Sequence, residues 1–128
     1  MYQDGRSQYI SIGLANLGTA YTEQGDLQRA ESTLREAVTL STSLLTRDHM
    51  NTAIAEVKLG RVLIRQERYS DALPFLEGGY ATLVKFTNPS SAWVQAALKE
   101  LATTYDALGR HGDADRTRSK IVSSERKR

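Results

Sequence analysis

A step of 42 residues runs through this chain. Leu17-Gly18 returns as Leu59-Gly60 and again as Leu101-Ala102. Around those pairs Tyr21 aligns with Leu63 and Tyr105, Ala30 with Ala72 and Ala114, Leu34 with Leu76, and Tyr9 with Trp93 two steps on. Small and large positions are both kept, which composition alone does not produce. A period of about 20 to 50 residues marks stacked supersecondary units, each unable to bury its apolar face without a neighbour.

Each unit reads as two helices. Leu14, Leu17, Gly18 and Tyr21 stand at i, i+3, i+4 and i+7, one face of a helix. The run ends at Gly25, Glu67 or Gly109, and a second run starts a few residues later. A residue ending a helix this way takes a left-handed backbone conformation that glycine adopts freely. Glu67 should carry about 1 kcal/mol of strain there. Asp26, Ser70 and Gly112 are the expected caps of the second helices, and Asp48, Asn51, Ser90 and Ser91 those of the first helices that follow. Pro89 stops one helix, and Pro74 falls near a first turn, where a missing N–H is tolerated. Gly18, Gly60 and Ala102 are expected opposite Ala30, Ala72 and Ala114 where paired helices cross. Gly78 and Gly79, inside a second helix, read as close packing against the following hairpin, with a flexible spot as the alternative.

These residues resemble the tetratricopeptide repeat. Leu14, Leu17, Gly18, Tyr21, Gly25-Asp26, Ala30, Leu34 and Ala37 fill every consensus place in the first unit. The second unit departs at Glu56, Glu67 and Gly79, and the third at Ala102 and Arg118. The 42-residue period, longer than the usual repeat, looks like the kinesin light chain type found in many bacterial signalling proteins. The resemblance implies an all-α fold, a right-handed superhelical α-solenoid of three helix-turn-helix hairpins. One domain is expected over 1–128, with repeats at about 9–50, 51–90 and 91–125, either whole or cut from a longer array.

Composition removes several function classes. There is no cysteine, so thiol nucleophiles, disulfides and thiolate metal sites are excluded, and a cytoplasmic location is favoured. The first residues, MYQDGRSQY, hold no signal core, and no apolar run approaches the roughly 20 residues of a membrane helix. The basic pI comes from the end: residues 119–128 carry four of the 17 basic side chains and one of the 15 acidic ones, leaving 13 against 14 elsewhere. That is a charged tail and not a nucleic-acid surface. His49 and His111 fall in separate turns without metal-ligand spacing, and "LEGGY" lacks the strand and lysine of a phosphate loop. No enzyme activity, metal or cofactor is expected.

In arrays of this kind the first helices line a concave groove. The residues off the core stripe are then Asn16, Thr19 and Glu23 in the first unit, Lys58, Arg61 and Arg65 in the second, and Lys99, Thr103 and Asp106 in the third, with Ile54 beside the basic stripe. Asn16 matches the asparagine with which kinesin light chain type repeats hold a ligand backbone. Ala15 and Thr19 stand where chaperone-binding repeats carry lysine and asparagine, so that activity is not expected. The function expected is a scaffold binding an acidic peptide or partner segment in the groove. The alternatives are a regulatory or sensory segment of a larger signalling enzyme or transcription regulator, and a module that self-associates through an uncapped N-terminal end. The C-terminal unit, with Asp113, Asp115, Arg116, Arg118 and Lys120 around Ala114, reads as a polar cap.

Overall fold

The three punctuating positions are all left-handed, with φ of 82° at Gly25, 60° at Glu67 and 77° at Gly109. Each closes its turn in the same way. The N–H of the next residue returns to the register-equivalent carbonyl, Asp26 to Tyr21 at 3.0 Å, Arg68 to Leu63 at 2.9 Å and Arg110 to Tyr105 at 2.8 Å. That bond satisfies a carbonyl the helix end would otherwise leave unpaired.

The computed structural model describes residues 5–44 and 49–122. Its helices are α1 (Gly5–Gln24), α2 (Leu27–Leu44), α3 (Met50–Arg65), α4 (Tyr69–Phe86), α5 (Ala92–Ala107) and the shorter α6 (His111–Arg118). They pair as hairpins α1/α2, α3/α4 and α5/α6, and each later hairpin leans its first helix on the preceding second helix. First helices also touch each other, α1 to α3 and α3 to α5, whereas among the described residues the backbones of α2 and α4 stay apart and the two helices meet through side chains, the Arg35 guanidinium lying 5.7 Å from the centre of the Phe75 ring. The stack therefore curves with its first helices on the inside.

Capping differs from the sequence reading in three places. Asp26 does cap α2, accepting from the Arg29 N–H at 3.2 Å. However, α4 and α6 start after Arg68 and Arg110, neither of which gives a side-chain cap, and Ser70 and Gly112 lie inside the helices. Arg68 and Arg110 share the register of Asp26, and each reaches three residues on to a carboxylate, Asp71 at 3.1 Å and Asp113 at 2.8 Å. The first hairpin carries the same pair with its signs exchanged, Asp26 to Arg29 at 3.5 Å. A carboxylate in a helix's first turn meets the positive end of the peptide dipoles, which offsets the missing cap. At α3 the cap is the His49 ring, whose Nδ1 accepts from the Asn51 N–H at 3.0 Å. Ser91 caps α5 through the Val94 N–H at 3.4 Å. Asp48 and the basic residues after 122 lie outside the described residues.

The helix crossings also need a correction. A Cβ on Gly18 would stand 2.5 Å from Leu34 Cγ, and one on Gly60 2.6 Å from Leu76 Cγ. The glycines thus face leucine, four residues beyond the alanines expected. Ala30, Ala72 and Ala114 are fully buried, but they are not the glycines' nearest neighbours. Gly79 is tight for a different reason: its Cβ would lie 2.8 Å from Val57 Cγ2 and 3.0 Å from the Ala53 carbonyl oxygen. Both belong to α3, so Gly79 packs within its own hairpin and not against the following one. Leu34, Leu59, Leu63, Leu76 and Leu83 form the fully buried centre.

Candidate functional site

The inner face is held together by one contact used twice. Lys58 Nζ on α3 donates to Thr19 Oγ1 on α1 at 2.7 Å. One hairpin later, Arg61 Nε on α3 donates to Glu100 Oε2 on α5 at 2.6 Å. Thr19 and Arg61 share a register, as do Lys58 and Glu100, so the same diagonal links successive first helices with different chemistry. Thr19 in turn donates to the Ala15 carbonyl at 3.1 Å, so its oxygen stays aimed at the lysine. Arg65 reaches back to the Thr22 carbonyl near the end of α1 at 3.4 Å.

Two cavities meet on this face. One, of about 200 Å³, is lined by Ile12, Ala15 and Asn16 of α1, Asn51 and Ile54 of α3, and Trp93 of α5. The other, of about 120 Å³, is ringed by Thr19, Glu23, Lys58, Arg61 and Arg65. Lys58 lines both. Its ammonium stands 5.6 Å from the centre of the Trp93 ring, a cation–π distance. Burial pushes the Lys58 ammonium below its ordinary pKa, the neighbouring Arg61 charge adds to this, and Glu23 opposes it. At neutral pH the lysine stays charged while having shed part of its water, which raises its attraction for an incoming carboxylate.

The structure gathers Asn16, Thr19, Glu23, Ile54, Lys58, Arg61 and Arg65 around these cavities. Lys99 and Thr103 are exposed on α5 and line neither. Lys99 is one residue out of register: the equivalent of Asn16 and Lys58 is Glu100. Asp106 is committed elsewhere, accepting from Arg118 at 2.7 Å and bonded to the His111 ring at 2.9 Å. The hydrogen bonds from Arg118 and His111 hold its carboxyl below the usual range. The sequence reading missed Ile12, Asn51, Trp93 and Glu100. The signal for them was the register itself, since Ile12 aligns with Ile54, and Asn51 and Trp93 align with Tyr9.

Among the described residues no group of His, Asp or Glu side chains is arranged to hold a metal ion, and no helix is long and apolar enough to cross a membrane. What the face offers is shape, amides, apolar surface and positive charge.

A tetratricopeptide repeat family model matches residues 9–83, more than half of the chain. The chain belongs to the tetratricopeptide repeat family. No curated protein matches it by sequence. Among solved structures it is similar to a single-substitution form of the kinesin light chain nearly identical TPR-like repeats of Podosopora anserina. There the identity is 22%, the coverage 94% of this chain and 56% of that one, and the TM-score 0.78. A second structure of those repeats gives 23% identity, 86% and 52% coverage and a TM-score of 0.75. The TPR domain of Arabidopsis FLU gives 19% identity, 88% and 92% coverage and a TM-score of 0.75. The chain thus spans about half the length of the light-chain-like arrays. These likenesses establish an all-helical tetratricopeptide solenoid, a fold that in general mediates protein–protein interaction.

Proposed function

We propose that the concave face of α1, α3 and α5 binds a partner segment carrying an apolar side chain next to one or more carboxylates. The observation that carries this reading is the meeting of an apolar cavity and a basic one at Lys58. The apolar anchor enters between Ile12, Ile54 and Trp93, and the Asn16 and Asn51 amides flank its backbone. The carboxylate lies toward Lys58, Arg61 and Arg65. Apolar burial holds the segment, while charge speeds its approach and fixes its direction. The reading involves no catalytic step and no cofactor. A regulatory or sensory role within a larger protein would use the same groove, with the ligand segment supplied by that protein.

Trp93 is the only tryptophan in the chain, so its emission reports occupancy of the apolar cavity directly. Titrating an acidic peptide library bearing single apolar residues should shift that emission to the blue. In the Lys58→Ala, Arg61→Ala, Arg65→Ala variant the affinity should fall by about tenfold or more. Glu100→Gln should strengthen binding, because Glu100 competes with the ligand for Arg61. Equal affinity of the wild type and the triple variant defeats the proposal.

A further inference from the structure

The later first helices bury a stripe that α1 leaves open. On α3 the stripe is Thr52, Ala55, Leu59 and Val62, and on α5 it is Val94, Ala97, Leu101 and Thr104. All eight are buried. Leu59 faces the same small cavity as Val38 and Thr39 of α2, and α2 packs on α3, so this is the side that receives the preceding second helix. One period earlier the same positions on α1 are Ile10, Gly13, Leu17 and Ala20. Ile10 is 54% exposed and Leu17 44%, with Tyr9 at the rim 73% exposed. A Cβ built on Gly13 meets nothing within 4 Å. Where Ala55 and Ala97 let a helix come close, α1 keeps a still smaller residue and, among the described residues, has no helix against it.

We infer that this face pairs with the same face of a second copy of the chain, the two α1 helices running antiparallel and crossing at Gly13. Three features select this occupant. The stripe contains no charged residue, so like can meet like without repulsion. Ile10 and Leu17 lie almost symmetrically about Gly13, so an antiparallel crossing sets Ile10 of each copy against Leu17 of the other. Such a pairing is isologous and closes after two copies. The opposite end of the stack is unsuited to cover α1. There Arg118 pairs with Asp106 and Asp115, and Arg116 with Asp113. Setting that surface on Ile10 and Leu17 would strip water from ion pairs and return only apolar contact. By helical geometry the stripe lies about 110° around α1 from Asn16 and Thr19, so both concave faces stay open in the pair. The pairing is independent of what the groove binds.

One helix pair makes a small interface, so association is expected in the range of about 10–100 µM. Light scattering across that range should show the mass rising toward twice the 14.2 kDa of one chain. The Ile10→Glu, Leu17→Glu variant should stay at the single-chain mass with unchanged helical circular dichroism, since both side chains are exposed. The chain has no cysteine, so Gly13→Cys adds one thiol without background. Mild oxidation should convert it to a covalent dimer, and Ser119→Cys should not cross-link under the same conditions. A wild type that remains monomeric across the range overturns the inference. So does a dimer that survives the double glutamate substitution, or equal cross-linking at positions 13 and 119.

Discussion

The first two hairpins cross on glycine and leucine, and the third crosses on alanine and arginine. A Cβ on Gly18 or Gly60 would come within 2.6 Å of Leu34 or Leu76, both fully buried. At the third crossing the leucine is replaced by Arg118, which turns outward to Asp106 and Asp115, and the glycine is replaced by Ala102. The small residue is therefore the complement of a particular leucine and not a general requirement of paired helices. Once the leucine goes, the helix takes alanine, which favours helix by about 1 kcal/mol over glycine. The terminal hairpin replaces a tight apolar crossing with ion pairs that water can reach.

The largest test of that contrast is Gly60→Leu, which should destabilise the fold by about 3 kcal/mol in urea denaturation through overpacking. In that background Leu76→Ala should cost far less than the roughly 3 kcal/mol expected of it alone, because it opens the space the new side chain needs. If the two effects simply add, glycine and leucine are not a matched pair. Ala102→Gly should lower stability by about 1 kcal/mol, the helix-propensity difference alone, with no gain from closer packing. A larger loss would mean that the third crossing is as tight as the others. Smaller again is Glu67→Gly, expected to stabilise by up to about 1 kcal/mol by relieving a left-handed residue that has a side chain. The chevron should show that gain in the folding limb only where turn closure is rate-determining.

The finest distinction is in the link between the second and third hairpins. Tyr105 donates its hydroxyl to Glu77 of α4 at 2.7 Å. Burial, then the hydrogen bond and negative charge of Glu77, raise the phenol from 10.0 to about 12. Because the folded state favours the neutral phenol, its contribution is complete below the unfolded value and is lost as the pH climbs from about 10 to about 12. Ultraviolet titration should find one tyrosine ionising late, and Glu77→Gln should bring it back toward the ordinary range.

Much of the fold is legible in the sequence because the period repeats what geometry demands. Glycine or its stand-in marks the left-handed turn, and every such turn lies where the 42-residue register puts it. The glycines' partner is not legible, since a single helix pattern does not reveal whether the facing helix presents Ala30 or Leu34. The starts at Arg68 and Arg110 are hidden because a cap search looks for short polar side chains, while these helices begin with an ion pair whose first-hairpin version has the opposite signs. At the groove, the α1 and α3 residues follow from helix position. Lys99 stands one residue from the register position held by Glu100, and a slip of one residue carries a side chain about 100° around a helix. Trp93 is visible as a register match to Tyr9, but a cavity built by three helices emerges only when they are brought together.

Glu31 of α2 receives Gln66 at 3.1 Å and Arg68 at 2.7 Å from the turn after α3, along with its own neighbour Arg35 at 2.9 Å. Burial works against the charge of this carboxylate, and those three bonds overcome it and keep it ionised below its usual range. Mechanically, the clasp acts as a stay between the first and second hairpins, beside the Arg35 guanidinium of α2 over the Phe75 ring of α4, in a stack whose outer helices keep their backbones apart over their described residues. A force drawing the ends apart would bend the arch about its inner row of helices, and this joint would resist the bend. Acid that protonates Glu31 would slacken it, leaving the arch more compliant at that joint while the hairpins themselves stay closed.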